Sequence, residues 1–219
     1  MFGNNPKRMF ESGDGQTLKI QNIFLTFQGE GPYAGKSSIF IRLGGCNLSC
    51  DFCDTEFETF KEMSLEQIID EVLAQTKDTK CSLAVITGGE PFRQNINLLC
   101  QQLMEKNFAI QIESNGTLFT EVPDGVEVVC SPKISKNKYY GIRGDIKYYI
   151  IAYKFLVSKY REGYDKLPEW DFHGRRVYVQ PIDEYDELKN LENIKLAMDI
   201  AHKYGYIFSP QMHKYVGIE

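Results

Sequence analysis

Short apolar runs alternate with amphipathic stretches along most of the chain. LKIQNIFLTF (18–27) has strand character, and SIFIRL (38–43) is an apolar run of strand length. SLAVIT (82–87) reads as a buried strand, and AIQIES (109–114) alternates as a strand does. VEVVCSPK (126–133), YIIAYKFLVS (149–158) and VYVQPID (177–183) are three further β-rich segments. Helical spacing separates the strands. Ser64 stands three residues before Gln67, the capping-box pattern. Leu65, Ile68, Ile69, Val72 and Leu73 then share one helical face. A second helix is predicted over 95–106, with Ile96, Leu99 and Leu103 on one side. A third is predicted over 184–203, where Leu188, Leu191, Ile194 and Ile200 precede Gly205, a usual helix stop. Residues 1–17 are polar and read as a mobile or weakly ordered start. Residues 28–37 read as a glycine-rich loop, and 134–176 as an insertion, polar and irregular over 134–149 and 159–176.

Strands alternating with helices predict an α/β fold with a mainly parallel sheet. About five to seven strands and about three helices fit a partial (β/α) barrel with reduced helix number better than a closed eight-fold one. In such folds the chemistry sits at the carboxyl ends of the strands. GGC, GGEP, ESNG, SPK and QPID all fall there. One domain over 1–219 is the expectation for this length.

Charge and composition narrow the function. The net charge is -5 and no long basic run appears, which argues against direct nucleic-acid binding. No apolar stretch approaches the roughly 18 residues that span a bilayer. The start, MFGNNPKRMFESGDGQ, lacks the apolar core of a secretory signal. The expectation is a cytoplasmic protein with reduced thiols and no membrane contact. Its six cysteines then read as metal ligands or buried thiols.

Three of them, Cys46, Cys50 and Cys53, stand in the spacing C-x3-C-x2-C. Iron–sulfur clusters are held by cysteine thiolates, normally four. Three thiolates leave one iron open, and an open position is where a metal centre does chemistry. A structural zinc site would need a fourth ligand. Cys81, Cys100, Cys130, His173, His202 and His213 are too distant in sequence to complete a local knuckle, although folding could bring one near. A zinc-bearing binding module is therefore the non-enzymatic alternative. Cys81, Cys100 and Cys130 read as ordinary buried thiols.

The cysteine spacing, with Phe52 before the last cysteine, resembles the signature of radical S-adenosylmethionine enzymes. FQGEGPYAGKSSIFIRLGGCNLSCDFCDT (27–55) and TGGEP (87–91) are more specific and resemble the 7-carboxy-7-deazaguanine synthase family. SPK (131–133), QP (180–181) and MHKY near the chain end extend the match. The resemblance implies a partial barrel of the radical S-adenosylmethionine type. It implies conversion of 6-carboxy-5,6,7,8-tetrahydropterin to 7-carboxy-7-deazaguanine with loss of ammonia, in queuosine and deazapurine biosynthesis. It further implies a 4Fe-4S cluster, S-adenosyl-L-methionine, Mg2+, a homodimer and a one-electron donor such as flavodoxin. Another radical enzyme, such as a glycyl-radical activase, is the alternative that the QGEG loop and short C-terminus disfavour.

The same resemblance implies roles for individual residues. Cys46, Cys50 and Cys53 would hold the cluster, and Thr55 the Mg2+. Phe52, Cys53, Asp54, Gly89, Glu90, Ser131, Pro132, Lys133 and Gln180 would contact the cofactor. Phe27, Gln28, Gly29, Glu30, Arg42, Thr87 and the terminal Glu219 would contact the pterin. Gln28 and Glu30 carry donors and acceptors that suit a pterin edge. Arg42 suits a carboxylate through its planar fork, though by itself it also fits an ion pair with a protein acid. Alone, Thr55 is an ordinary loop residue and Lys133 a surface lysine. Glu113, Ser114 and Asn115 are further cofactor-side candidates, and His213 and Lys214 lie in a tail that by itself reads as frayed.

Overall fold

A computed structural model describes residues 5–218. In chain order the elements are β1 (Thr17–Phe27), β2 (Ser37–Leu43), β3 (Lys61–Ser64), α1 (Leu65–Thr76), β4 (Leu83–Gly88), α2 (Asn97–Glu105) and β5 (Ala109–Ser114). There follow β6 (Glu127–Cys130), β7 (Ile134–Ser135), β8 (Lys138–Tyr139), β9 (Ile150–Val157), β10 (Arg176–Pro181), α3 (Glu187–Tyr204), β11 (Ile207–Phe208) and α4 (Met212–Val216). Nine strands form one sheet in the order β11-β10-β9-β6-β5-β4-β2-β1-β3. From β2 to β11 every neighbouring pair is parallel. β1 is antiparallel to β2 and to β3. The sheet has two free edges, so it is the open, partial form of a barrel with few helices.

The strands read from apolar runs are in place because burial on both faces demands such runs. Ile39, Ile41 and Leu43 of β2 and Leu83 to Ile86 of β4 are fully buried. Ser64 caps α1 as read, its side chain accepting from Gln67 N while the Gln67 side chain accepts from Ser64 N. Ile68 and Val72 of α1 are fully buried, whereas Leu73 is exposed at the edge of the stripe. α3 differs from its expected face. Leu188 and Leu191 point to solvent, and the buried stripe is Asn193, Ala197, Ile200 and Ala201. A polar anchor turns the helix. Asn193 Nδ2 donates to Ile182 O at 3.0 Å, and its Oδ1 accepts from Lys159 N at 2.9 Å. Among the described residues no helix is long and apolar enough to cross a membrane.

The polar start, read as mobile or weakly ordered, is held against the body where it is described. Arg8 N donates to Cys46 O at 2.7 Å and Glu11 N to Arg93 O at 2.8 Å. The fully buried Arg93 side chain donates to Gly44 O at 2.7 Å and to Glu11 Oε1 at 2.7 Å. Main-chain bonds and one buried arginine fix this segment, and hydropathy carries no trace of either. Residues 134–176, read as an insertion, contain β9, which lies between β6 and β10 in the sheet. Phe155 of β9 is fully buried. The rings of Tyr139, from β8, and of Trp170 and Phe172, from the loop after β9, lie 5.6, 5.9 and 5.6 Å from it. The irregular stretches thus supply an aromatic group that covers the sheet. The short β3, β11, the β7–β8 hairpin and α4 have no counterpart in the sequence reading, being too short for a periodic signal.

Phe155→Ala should lower unfolding free energy by about 3–5 kcal/mol, because the emptied volume is enclosed by rings that cannot collapse into it. Denaturant unfolding of the wild type and variant measures this. A loss under about 1 kcal/mol would remove Phe155 from the core.

Candidate functional site

The carboxyl ends of the parallel strands surround a cavity of about 590 Å3. Phe27, Gln28, Gly29, Glu30, Arg42, Cys46, Cys50, Phe52, Cys53, Asp54, Thr55, Thr87, Gly89, Ser131, Lys133 and Gln180 all line it. So do Glu113, Ser114, Asn115, His213 and Lys214. Arg42 and Thr87 are register partners on adjacent strands, which brings them side by side. Glu90 and Pro132 stand outside the lining, and Glu219 lies outside the described residues.

The cysteine loop leaves β2 and is sewn at once to the turn after β4. Gly89 N donates to Leu43 O at 3.2 Å, and Glu90 N donates to Gly45 O at 3.1 Å. A Cβ on Gly89 would fall 2.1 Å from Gly45 O, so no other residue fits this contact. Beyond the turn, Cys46, Leu48 and Phe57 make a buried apolar group, with Cys50, Cys53 and Tyr140 packed against it. Burial pushes the Cys46 thiol up to about 12, and burial raises Cys50 and Cys53 as well. Such thiols ionise when a metal centre draws the charge. Among the described residues no three His, Cys, Asp or Glu side chains group as ligands of one metal ion. A cluster spreads its thiolates over separate irons and has no need of a single focus. Three soft donors in an apolar shell fit a cluster.

A polar group of a different kind lines the same cavity. Lys154, in mid-β9, is 6% exposed and bonds to Glu30 Oε2 and, at 2.9 Å, to Glu113 Oε2. Burial opposes its charge, but the two carboxylates outweigh burial and hold its pKa raised. Burial would raise Glu30 too, and Lys154 overturns that and holds it lowered. For Glu113 burial prevails and its pKa is raised. Gln111 Nε2 donates to Glu113 Oε1 at 2.6 Å, and Gln28 Nε2 approaches the same oxygen at 3.5 Å. Gln180 Nε2 donates to Glu30 Oε1 at 3.2 Å, which places Gln180 beside a residue assigned to the substrate side. Sequence reasoning missed Lys154. Its signal was a lone cation in an apolar strand, the same signal that marked Arg42. Arg42 lies over the Phe24 ring, 5.0 Å from its centroid.

Two further elements close the cavity wall. Lys133 Nζ donates to Ser131 O at 2.7 Å and Ser131 Oγ at 2.6 Å, and burial lowers its pKa, so it is not a solvated lysine. The chain end is docked rather than frayed. Met212 N donates to Gly29 O at 3.1 Å, and Lys214 bridges Asp54 at 2.8 Å and Asp183 at 3.0 Å. A Cβ on Gly29 would fall 2.3 Å from His213 Nδ1, which accounts for glycine in the QGEG loop.

A sequence model of the radical SAM superfamily matches residues 40–131, the span from β2 to just past β6. A 7-carboxy-7-deazaguanine synthase of Rickettsia prowazekii is 49% identical over 100% of this chain and 96% of its own length. One from Rhodospirillum rubrum is 34% identical over the full length of both chains. Among solved structures, that of QueE from Escherichia coli is similar with a TM-score of 0.74. It is 26% identical, with 90% of this chain and 95% of that chain covered. The chain belongs to the 7-carboxy-7-deazaguanine synthase family. Members are radical S-adenosylmethionine enzymes, and the three-cysteine loop and the TGGEP turn both lie within the matched span.

Within the family framework Glu90 has a supporting place. It is fully buried, and its carboxylate accepts from Ser114 Oγ at 2.8 Å, Asn115 N at 2.8 Å and Phe92 N at 3.2 Å. It ties the end of β4 to the end of β5 beneath the cavity. Burial pushes its pKa from 4.5 up to about 7, despite those bonds. Between these values the folded state holds a proton that the unfolded chain has released, so Glu90 makes stability fall as pH rises. The stability of the wild type relative to Glu90→Gln should therefore fall by about 3 kcal/mol from pH 4 to pH 8. Unfolding of the metal-free protein across that range measures the difference. A flat difference would show that Glu90 keeps the same pKa in the folded and unfolded chain.

Proposed function

We propose that this cavity carries out the family reaction, ring contraction of 6-carboxy-5,6,7,8-tetrahydropterin to 7-carboxy-7-deazaguanine and ammonia, with the residues named here in these roles. The observation that carries it is a single cavity lined both by three thiols and by a polar group suited to a planar heterocycle. When bound at Cys46, Cys50 and Cys53, a 4Fe-4S cluster with S-adenosyl-L-methionine supplies a hydrogen-abstracting radical. The protein supplies position and exclusion of water.

Gly89, Ser131, Lys133, Asp54 and Phe52 border the thiols and would contact the cofactor. Arg42 presents a planar fork to the substrate carboxylate, and Thr87 is its neighbour across the ladder. Gln28, Glu30, Glu113 and Lys154 offer fixed donors and acceptors to the ring edge, and Phe27 an apolar face. Their mutual bonds hold them in place before substrate arrives, which lowers the cost of ordering the site. Thr55 would offer a hydroxyl oxygen to Mg2+, an ion that is commonly held by few protein groups. Glu219, outside the described residues, is assigned to the substrate by the family resemblance alone. The chain acts as one domain over 1–219, in the cytoplasm, as a homodimer. Flavodoxin is the one-electron donor we assign, a small carrier suited to reducing the cluster.

Cys50→Ala should remove the brown chromophore of anaerobically prepared protein and lower turnover of the carboxypterin by more than about 100-fold, above the effect of losing an outer-shell partner. Retained cofactor cleavage would sink the cluster assignment. Thr55→Ala should keep the chromophore but raise the Mg2+ needed for half-maximal rate about tenfold, equivalent to about 1.4 kcal/mol. An unchanged Mg2+ titration would take Thr55 out of the metal site.

A further inference from the structure

The loop after β9 has no part in the roles assigned so far, yet it reaches the cysteine loop. Arg161 in this loop is 14% exposed on its side chain. Its Nε and Nη2 donate to Glu184 Oε1 and Oε2 at 3.0 and 2.6 Å, a closed fork. Its Nη1 donates to Asp51 Oδ2 at 2.9 Å. Asp51 stands between Cys50 and Cys53. The guanidinium carbon also lies over the Phe52 ring, 5.3 Å from the centroid. Tyr164 from the same loop meets that ring edge-on at 5.1 Å and 79°. Its hydroxyl is fixed in turn, accepting from Ile134 N at 3.0 Å. Phe52, Tyr164 and Ile182 form one buried apolar group, and Cys50 packs against it.

The anchor beneath the fork is rigid. Glu184 is 6% exposed and also accepts from Ser158 Oγ at 2.6 Å. Ser158 Oγ in turn accepts from Asn193 Nδ2 at 3.3 Å, so the line runs back into α3. By contrast Asp51 is 82% exposed, and a pair open to water holds little. The grip on the cysteine loop therefore lies in the fork on Glu184 and the cation laid on Phe52. Lysine has neither a planar face nor a fork, so arginine is specific to this arrangement.

We propose that Arg161 is a positioning residue of the cluster loop: clamped on Glu184, its guanidinium pins Phe52 beside Cys50 and keeps water from the cluster. This rests on the assignment of Cys46, Cys50 and Cys53 to a cluster. Removing Arg161 together with Glu184 leaves net charge unchanged, so any change at the cluster then comes from geometry and access.

The test uses wild type, Arg161→Met with Glu184→Gln, Arg161→Lys and Asp51→Asn, each reconstituted with iron and sulfide without oxygen. Bound iron is counted, the reduced cluster is examined by electron paramagnetic resonance, and bleaching of the visible chromophore is timed in air. The double variant and Arg161→Lys should load iron but bleach about tenfold faster, with an altered resonance, in line with lost outer-shell partners. Asp51→Asn should bleach within about twofold of wild type, as a weak exposed pair requires. If the double variant fails to fold by circular dichroism, Arg161→Lys, which keeps the charge opposite Glu184, decides alone. Wild-type bleaching and resonance in Arg161→Lys overturn the proposal while leaving the cluster assignment standing. A wild type that loads no cluster overturns that assignment, and the proposal with it.

Discussion

The site depends on a backbone contact between two strand ends. The turn after β2 carries the cysteines, and the turn after β4 carries Gly89 and Glu90. They meet through Gly89 N to Leu43 O and Glu90 N to Gly45 O. A side chain at position 89 would occupy the place of Gly45 O, so the contact exists only because glycine stands there. The remaining supports are arranged around it. Arg93 reaches Gly44 O from the far side, Glu90 binds the β5 end below, and the N-terminal segment pairs with Cys46 above. Each of these groups bonds to main chain close to the cysteines. A cluster-binding loop has little regular structure to stiffen it, and here its stiffness comes from neighbours.

The polar side of the cavity is held differently. Lys154 between Glu30 and Glu113 puts three charged groups where water is scarce. Such a group is no gain in stability over an apolar replacement of the same shape, because desolvation of each ion opposes their attraction. Its retention makes physical sense if the bonds have a second use. Glu30 also takes bonds from Gln180 and Gln211, and Glu113 from Gln111. The result is a set of donors and acceptors whose directions are fixed in advance. A heterocycle with polar edges can exchange into that set without reorganising it.

How much of this could be read in the sequence follows from the range of the forces involved. The strands of the parallel sheet and the cap of α1 depend on nearby residues, and they are visible as runs and spacing. Cys46, Cys50 and Cys53 lie on one loop, so their chemistry is visible too. Lys154 and Glu113 lie on separate strands, and their meeting depends on sheet order, which no local pattern carries. The α3 face departs from the apolar spacing because Asn193, a polar residue, is held inward by Ser158 and Ile182. The aromatic cover on Phe155 was hidden for a similar reason. Its rings come from β8 and from the loop after β9, about thirty residues apart in sequence, and only β9 brings them together.

The loops therefore divide the work between them in a way that composition does not suggest. The QGEG loop is held by α4 through Gly29 O, and the cysteine loop is held from one flank by the N-terminal segment. On its other flank stand Arg161 and Tyr164. Asp54 connects the two systems, since Lys214 and Gln211 of the chain end both bind its carboxylate. Burial would raise Asp54, but Lys214 outweighs burial and keeps it lowered. Its charge is thus maintained between the cysteines and the proposed Mg2+ position at Thr55. A fixed anion there would favour a divalent cation beside it, and it bonds the chain end to the cysteine loop. The α4 segment and the loop around Cys53 are in this way joined through one carboxylate.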